Sequence, residues 1–502
     1  MGSKHDNLPI LVGAGQHTVR TEDVERLVHP MEMMKTAVER AADDAACPAL
    51  IDQADALHVV NVFSWSFRDA PSTLAAALGA RPALREYTAI GGNTPQWLVN
   101  RAADNLAAGR SEIAILAGCE VMRSVTLAAK AGKDIGSQAE VVAIEVVGDS
   151  RSGSHDVEVD HFADLPIRVY PMIENALRAK EGVSLEQQRA ALGKFGETYS
   201  AVAAKNPYAW FPVARSAEEV VTPSATNRMI AYPYTKFLNS VLQVDQAAAV
   251  IMTTTGAARR LGVPEDRWVY PHGGQDGCDH WYLSEREDVA DSPAVKAIVQ
   301  DALDQAGVTL DEIAFFDFYS CFPCMPRLTR HVLGISHDDP RPMTLTGGLP
   351  YFGGPGSNYV MHSIAEAMRR CRASDGAFGM VTSNGWYCTK HGVGIYSAAP
   401  PKRRWSRPSP AAFGAELALG PAVEIEPEPT GAFDVEAYTV WHDRAGAPEI
   451  GILCGRTESG RRAWAHTPKG DRDVLRAMMN AEWVGRRGRV TRREGGVNVV
   501  AF

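Results

Sequence analysis

At 502 residues the chain exceeds what one hydrophobic core usually serves, so two or three domains are expected. Its 45% hydrophobic and 22% charged residues are ordinary for a soluble globular protein, and no apolar run reaches the ~20 residues that span a bilayer. The net charge of −9 gives no support to nucleic-acid binding by the whole chain.

Eight scattered cysteines form no compact disulfide framework, and the segment Met1 to Gln16 lacks a signal peptide's apolar core. A reducing cytoplasm is the expected compartment. Leu8 to Gly13 is an apolar run ending in glycine, as a buried strand reads. Met31 to Ala45 carries apolar residues at helical spacing, Ala56 to Val62 reads as a second strand, and Ser72 to Leu78 opens another helix. At Gly91-Gly92-Asn93-Thr94-Pro95 the chain turns into a helix running towards Gly109, with Thr94 suited to the N-cap and Pro95 to the first helical position. The two glycines let the backbone approach something closely, and free N–H groups there would favour an anion or a developing oxyanion. A plain tight turn into a helix satisfies the same residues. Glu112 to Gly118 is again a buried strand, so residues 1–119 read as a β-α-β-α-β half.

Residues 120–242 are more polar, lack regular alternation and hold aromatic loop pieces such as Asn206 to Pro212. They read as an insertion that covers a site. The stretch 243–270, opening with strand-like Gln243 to Met252, returns to the first half. Residues 271–400 then repeat its plan: a helix from Ala294 to Ala306 capped by Ser292, a strand from Ile313 to Phe318, a Gly-rich loop from Thr346 to Asn358, a helix from Tyr359 to Arg372, and a strand into Ser383. A repeat of this size points to a duplicated α/β domain. Pro400 to Pro410 is linker-like and should be the first site of proteolysis. Residues 411–502 read as a separate β-rich domain of short strands and Gly turns. Its arginines Arg486, Arg487, Arg489, Arg492 and Arg493 suit a solvated surface or, alternatively, a phosphate contact.

Met380 to Tyr396 concentrates the candidate chemistry. Two strand-like pieces flank a polar loop that presents Cys388 and His391 near its tip, a thiol and an imidazole suited to nucleophile and base. The competing reading is a buried, inert thiol and a histidine bonded to loop backbone. Cys321-Phe-Pro-Cys324 is a CxxC without a second pair at zinc-like spacing, so no metal is expected.

Gly92-Asn-Thr-Pro-Gln96, Gly118-Cys-Glu120, Tyr232-Pro-Tyr-Thr-Lys236, Val244-Asp-Gln-Ala-Ala248, Tyr319-Ser-Cys-Phe-Pro323, Gly353-Gly-Pro-Gly-Ser-Asn358 and Thr389-Lys-His391 follow one another along residues 8 to 400. On these motifs the chain resembles the thiolase superfamily, more narrowly the thiolase-like proteins related to sterol-carrier-protein-type thiolases. The resemblance implies an α/β protein with a duplicated, five-layered αβαβα fold: two similar five-stranded halves around buried helices, with a loop domain inserted in the first half. That loop domain would hold coenzyme A, and the small C-terminal all-β domain would be an addition. CoA or acyl-CoA would enter as substrate, in lipid metabolism, with no permanently bound cofactor. A homodimer is left open. Departures accompany the match. Gly92 stands where thiolases place their nucleophilic Cys, and Gly354 where their activating His stands. Ser383-Asn384-Gly385 replaces the last Cys-x-Gly signature.

Two functions follow. An acetyl-CoA C-acyltransferase-like enzyme, making or breaking a carbon–carbon bond on a CoA thioester, would take His391 as base and Cys388 or Cys321 as nucleophile. Asn93 with the helix N-terminus would receive the oxyanion, and Tyr319 would orient or protonate. A non-enzymatic CoA-ester-binding or scaffold protein would instead use Gly92 and Gly354 as room for the ligand, beside Ser383 and Asn384.

Overall fold

The apolar runs become strands and the capped periodic segments become helices in the computed structural model, which describes residues 7–136, 144–492 and 496–502. The first part of the chain supplies β1 (Pro9–Thr18), β2 (Ala56–Val59), β3 (Leu84–Thr88), β4 (Ile113–Val121), β5 (Val146–Val147), β6 (Met229–Ala231), β7 (Tyr234–Thr235) and β8 (Asp245–Thr254). Six of these form one sheet in the order β1-β8-β4-β2-β3-β5. A second sheet, β10-β11-β12-β9, is made from β9 (Tyr270–Cys278), β10 (Ile313–Asp317), β11 (Phe378–Gly385) and β12 (Lys390–Ser397). Two helices lie between the sheets: Thr94–Ala107 touches β4, β8, β9, β11 and β12, and Tyr359–Arg372 touches β1, β8, β11 and β12. Helix Pro30–Asp44 covers the outer face of the first sheet and Pro293–Ala306 that of the second. Helix, sheet, helix, sheet, helix is the expected layering.

The two halves are less alike than five strands each. The first sheet gains the two-residue β5 at its edge, and the second has four strands. Beside β10, where a fifth would run, Pro342 and Met343 accept from the N–H groups of Phe316 and Phe318 at 2.8 and 3.1 Å. Pro340 and Pro342 keep that segment from continuing as a ladder, because proline has no N–H to donate.

The inserted segment is helical rather than loop-like, with helices Met122–Ala131, Pro166–Lys180, Leu185–Ala203 and two shorter ones. One signal was legible: Ser184 and Gln187 form a capping box at the start of the longest of these. Its hairpin β6–β7 leaves the body to extend the C-terminal sheet, Ala231 pairing with Trp441. That sheet is built from β13 (Gly431–His442), β14 (Pro448–Thr457), β15 (Arg462–His466), β16 (Arg487–Arg492) and β17 (Asn498–Ala501). The order β14-β15-β17-β16-β13 closes on itself because β13 also pairs with β14. The β15–β17 contact is parallel. A helix, Arg472–Asn480, stands between β15 and β16 of this C-terminal β domain; the topology is that of an OB-fold barrel. Of its arginines, Arg487 pairs with Asp434 at 2.7 Å and Arg492 with Glu428 at the surface, while Arg486 lies over the Trp483 ring. Arg493 lies outside the described residues. No helix among the described residues is long and apolar enough to cross a membrane.

The linker-like stretch is clamped, contrary to its composition. Trp405 donates its indole N–H to Asp104 at 2.7 Å, and the buried Arg407 guanidinium bonds both Asp104 at 2.8 Å and Asp276 at 2.5 Å. Helix Pro410–Glu416 and the turn after it are exposed apart from half-buried Pro410, Phe413, Leu417 and Leu419. Limited chymotryptic digestion should therefore cut first at Phe413, Leu417 or Leu419, sparing Trp405. Arg407→Ala leaves two carboxylates without their buried partner, costs about 3–5 kcal/mol, and should open Trp405 to the protease.

Candidate functional site

The hairpin β11–β12 carries the candidate site, but its loop is tighter and more buried than a polar tip. Residues 386–389 connect the strands, Trp386 and Cys388 both take a positive φ of 56°, and His391 already lies inside β12 opposite Asn384. Its Nε2 reaches the Asp279 carboxylate at 3.0 Å and the Cys388 carbonyl at 2.9 Å. Asp279 also accepts from the Ser292 hydroxyl at 2.5 Å and from the Ala294 N–H at 3.0 Å, at the start of helix Pro293–Ala306. Burial raises the Asp279 pKa, yet the His391 bond, helped by Arg286 and Ser292, outweighs it and holds the carboxyl below its ordinary value. A histidine whose Nε2–H is given to a carboxylate keeps Nδ1 as its lone pair, the arrangement of an oriented base.

No thiol joins it. The Cys388 sulfur points the other way, 3.0 Å from the Met325 sulfur, and burial pushes its pKa up to about 12. Burial likewise raises Cys321, which lies against Tyr170, and holds Cys324 protonated. Tyr170 stacks on Phe322 with centroids 4.6 Å apart and donates to the Trp386 carbonyl at 2.6 Å. These cysteines therefore belong to an apolar plug that the inserted helix Pro166–Lys180 drives into the centre. Among the described residues no three His, Cys, Asp or Glu side chains gather as a metal set.

Neither glycine leaves room for a ligand. A Cβ on Gly92 would collide with the Tyr319 hydroxyl and lie 2.6 Å from the Asn384 carbonyl oxygen. Tyr319 thus occupies the place of the missing cysteine side chain. A Cβ on Gly354 would lie 2.5 Å from the Ser240 Oγ, so the histidine's place is closed as well. Tyr319, Ser383, Asn384 and His391 do meet, around a void of about 10 Å³, enough for roughly one water.

Two larger cavities flank this closed centre. One, of about 590 Å³, is a groove bounded by Trp210, Phe211, Phe237 and Tyr351, with Arg123, Arg215 and Lys236 on its rim. Trp210 and Phe211 donate backbone N–H groups to Phe352 and Tyr351, which fixes the groove beside the Gly353-Gly354 loop. The Arg215 guanidinium lies 3.8 Å from the Phe237 ring centre. The other, of about 420 Å³, is lined by Asn93, Trp97, Arg151, Asp279, Trp281, Lys390 and His391 among others. Asn93, not Thr94, is the N-cap residue of helix Thr94–Ala107, and it makes no side-chain cap bond. The oxyanion candidate therefore faces Lys390 rather than a cysteine. Asp279 had no local signal of a role, since its partner lies far along the chain; Lys236 and Lys390 stood in the quoted motifs but were given no role.

Residues 414–495 match the family described as the thiolase-like protein type 1 additional C-terminal domain. Among solved structures, the chain is similar to a monomeric SCP2-thiolase-like protein type 1 from Mycobacterium smegmatis, at 33% identity and a TM-score of 0.84, covering 99% of each chain. Human mitochondrial 3-ketoacyl-CoA thiolase in complex with CoA shares the fold at 16% identity and a TM-score of 0.54, over 78% of this chain and 98% of that one. A 3-ketoacyl-CoA thiolase of Escherichia fergusonii is 29% identical over 174 residues, which is 31% of this chain and 36% of the relative. The chain thus spans about a third of the length of the curated relatives it matches.

Gly92→Ala should cost about 1–3 kcal/mol through overpacking. Combined with Tyr319→Leu it should cost less than the sum of the two, by about 1 kcal/mol, in a denaturant-unfolding cycle. Additive losses would mean that Tyr319 does not fill the space over Gly92. Iodoacetamide at pH 8 should leave native Cys321, Cys324 and Cys388 unmodified by peptide mapping, since the thiolate fraction at a pKa near 12 is on the order of 10⁻⁴.

Proposed function

The chain belongs to the SCP2-thiolase-like proteins of type 1, and on that premise we propose that it binds a coenzyme A thioester under its inserted segment without passing the acyl group through a cysteine. The observation that carries the binding half is the groove of about 590 Å³ beside the Gly353-Gly354 loop. Aromatic walls suit an adenine ring, and basic side chains suit phosphates. Arg123 and Arg215 are already paired with Glu22 and Glu219, whereas exposed Lys236 has no acidic partner among the described residues. Lys236 is therefore the cation with most to gain from an incoming phosphate. The human relative solved with CoA supports the ligand class, and the volume is ordinary for a small-molecule site of about 300–1,000 Å³.

An acyltransferase of the thiolase kind needs a thiolate beside a base. Here the sulfurs are held protonated among rings, His391 is engaged by Asp279, and Tyr319 stands over Gly92. Those features favour the binding-protein reading over covalent transfer.

CoA and acetyl-CoA should raise the melting temperature of the protein, with stabilisation of about 2.7 kcal/mol at about 100 times Kd. Lys236→Glu or Trp210→Ala should weaken that response by about tenfold, or ~1.4 kcal/mol. Intact-mass spectra after incubation with acetyl-CoA and longer acyl-CoAs should show no acyl adduct. No shift at millimolar CoA would remove the binding reading. An adduct that disappears in Cys388→Ser or Cys321→Ser would restore the acyltransferase.

A further inference from the structure

The cavity of about 420 Å³ shares no lining residue with the groove just described and has no part in the CoA reading. Its wall charges are nearly all neutralised from within. Asp149 holds Arg151 at 2.7 Å and Asp276 holds Arg407 at 2.5 Å, while Asp279 is satisfied by hydrogen bonds from His391, Ser292 and the Ala294 N–H. Lys390 differs. Only 5% exposed, its Nζ donates to the backbone carbonyls of Ile90 at 2.6 Å and Asp149 at 3.5 Å, and no carboxylate pairs with it among the described residues. Asn93, 8% exposed, stands on the same wall with a side-chain oxygen that has no hydrogen-bond partner. It opens helix Thr94–Ala107, whose first turn is not capped by any side chain.

We propose that this cavity is a binding site for a small organic carboxylate with an apolar body, its carboxylate meeting Lys390 at the amino end of helix Thr94–Ala107. A buried ammonium whose hydrogen bonds go only to carbonyls, with the Trp386 and Trp281 ring centres 5.5 and 5.9 Å away, has lost its hydration without gaining a counter-ion. A ligand carboxylate supplies that counter-ion and charge-assisted hydrogen bonds, and the positive end of the helix dipole favours the same sign. The amide of Asn93 can turn its N–H to the second carboxylate oxygen. Burial lowers the Lys390 pKa to about 8, and Cys278 and Asp149 offset this only in part. Cys278, pushed up to about 11 by burial, is neutral and cannot balance the charge. The apolar body follows from the remaining wall, formed by Trp97, Trp281, Ala89, Val147 and Leu419. A monoanion fits better than a phosphate dianion, because Asp149, Asp276 and Asp279 stand on the same wall.

Titration calorimetry with 3-phenylpropanoate and its neutral isostere 3-phenylpropanamide tests the site on the whole chain. Saturable one-to-one binding of the carboxylate is expected, with the amide weaker by about tenfold or more. Lys390→Met and Lys390→Gln should lose the carboxylate by a similar factor while keeping the CoA-induced thermal shift, which separates this site from the groove. Bound carboxylate should also protect Lys390 of the unaltered protein from reductive methylation in peptide maps, a readout that does not depend on either variant folding. Equal binding of acid and amide, undiminished binding by the variants, no binding of the acid, or no protection of Lys390 would each overturn the proposal.

Discussion

The buried polar groups of helix Pro166–Lys180 tie the parts of this protein together. Tyr170 donates to the Trp386 carbonyl in the β11–β12 loop. Glu174, fully buried, accepts from Tyr234 at 2.8 Å and Arg327 at 2.6 Å, the latter on the second-half helix Cys324–Leu333. Asn175 donates to the Tyr438 carbonyl in the barrel at 3.0 Å, and Arg178 clasps Glu482 with two bonds of 2.5 and 2.6 Å. Each of these groups, left unpaired after burial, would cost on the order of 1–3 kcal/mol. The helix can therefore seat only when the hairpin, the second half and the barrel are all in place. One element thus bonds to each of the parts that a composition reading separates.

The barrel is docked by the same logic. Arg462 of β15 is fully buried, pairs with Glu436, and donates to the carbonyls of Leu283, Ser284, Arg286 and Glu287. Trp464, two residues on, donates to the Ser284 hydroxyl at 2.8 Å, and that hydroxyl donates to Glu158 at 2.6 Å. In OB-folds the face built on the second and third strands is the usual ligand surface. Here β14 and β15 are those strands, and β15 uses the face to hold its own chain. The C-terminal addition thus works as a brace across residues 283–287 rather than as a free module.

At the centre, the exchange of a small nucleophile for a large hydroxyl-bearing ring changes what the scaffold can do. Glycine at 92 and tyrosine at 319 form a complementary pair, and a cysteine could not be restored at 92 without moving the ring. His391 keeps the oriented posture of a base through Asp279, but no thiol stands beside it: the Cys388 sulfur points to Met325. The space for ligands lies on either side of that closed point: a basic, aromatic groove outside, and a cavity with one uncompensated ammonium on the other side of the Gly91-Gly92 turn.

The sequence alone determined the scaffold. The Ser292-capped helix Pro293–Ala306 and helix Tyr359–Arg372 fall where periodicity and capping residues put them, and the ordered motifs from Gly92 to His391 sufficed for the thiolase architecture. Those signals are local: a cap, a glycine turn or a repeat of apolar residues acts within a few positions. What each candidate side chain faces was decided only by the tertiary structure. Cys388 and His391 are three residues apart, yet a positive φ at Cys388 turns its sulfur to Met325, 63 residues away, while His391 finds Asp279 at a separation of 112. The Pro- and Arg-rich stretch reads as a linker until Arg407 meets two carboxylates more than 130 positions earlier. Whether a charge is balanced, a thiol ionised or a glycine vacant depends on groups brought close by folding, and no run of neighbouring residues encodes them.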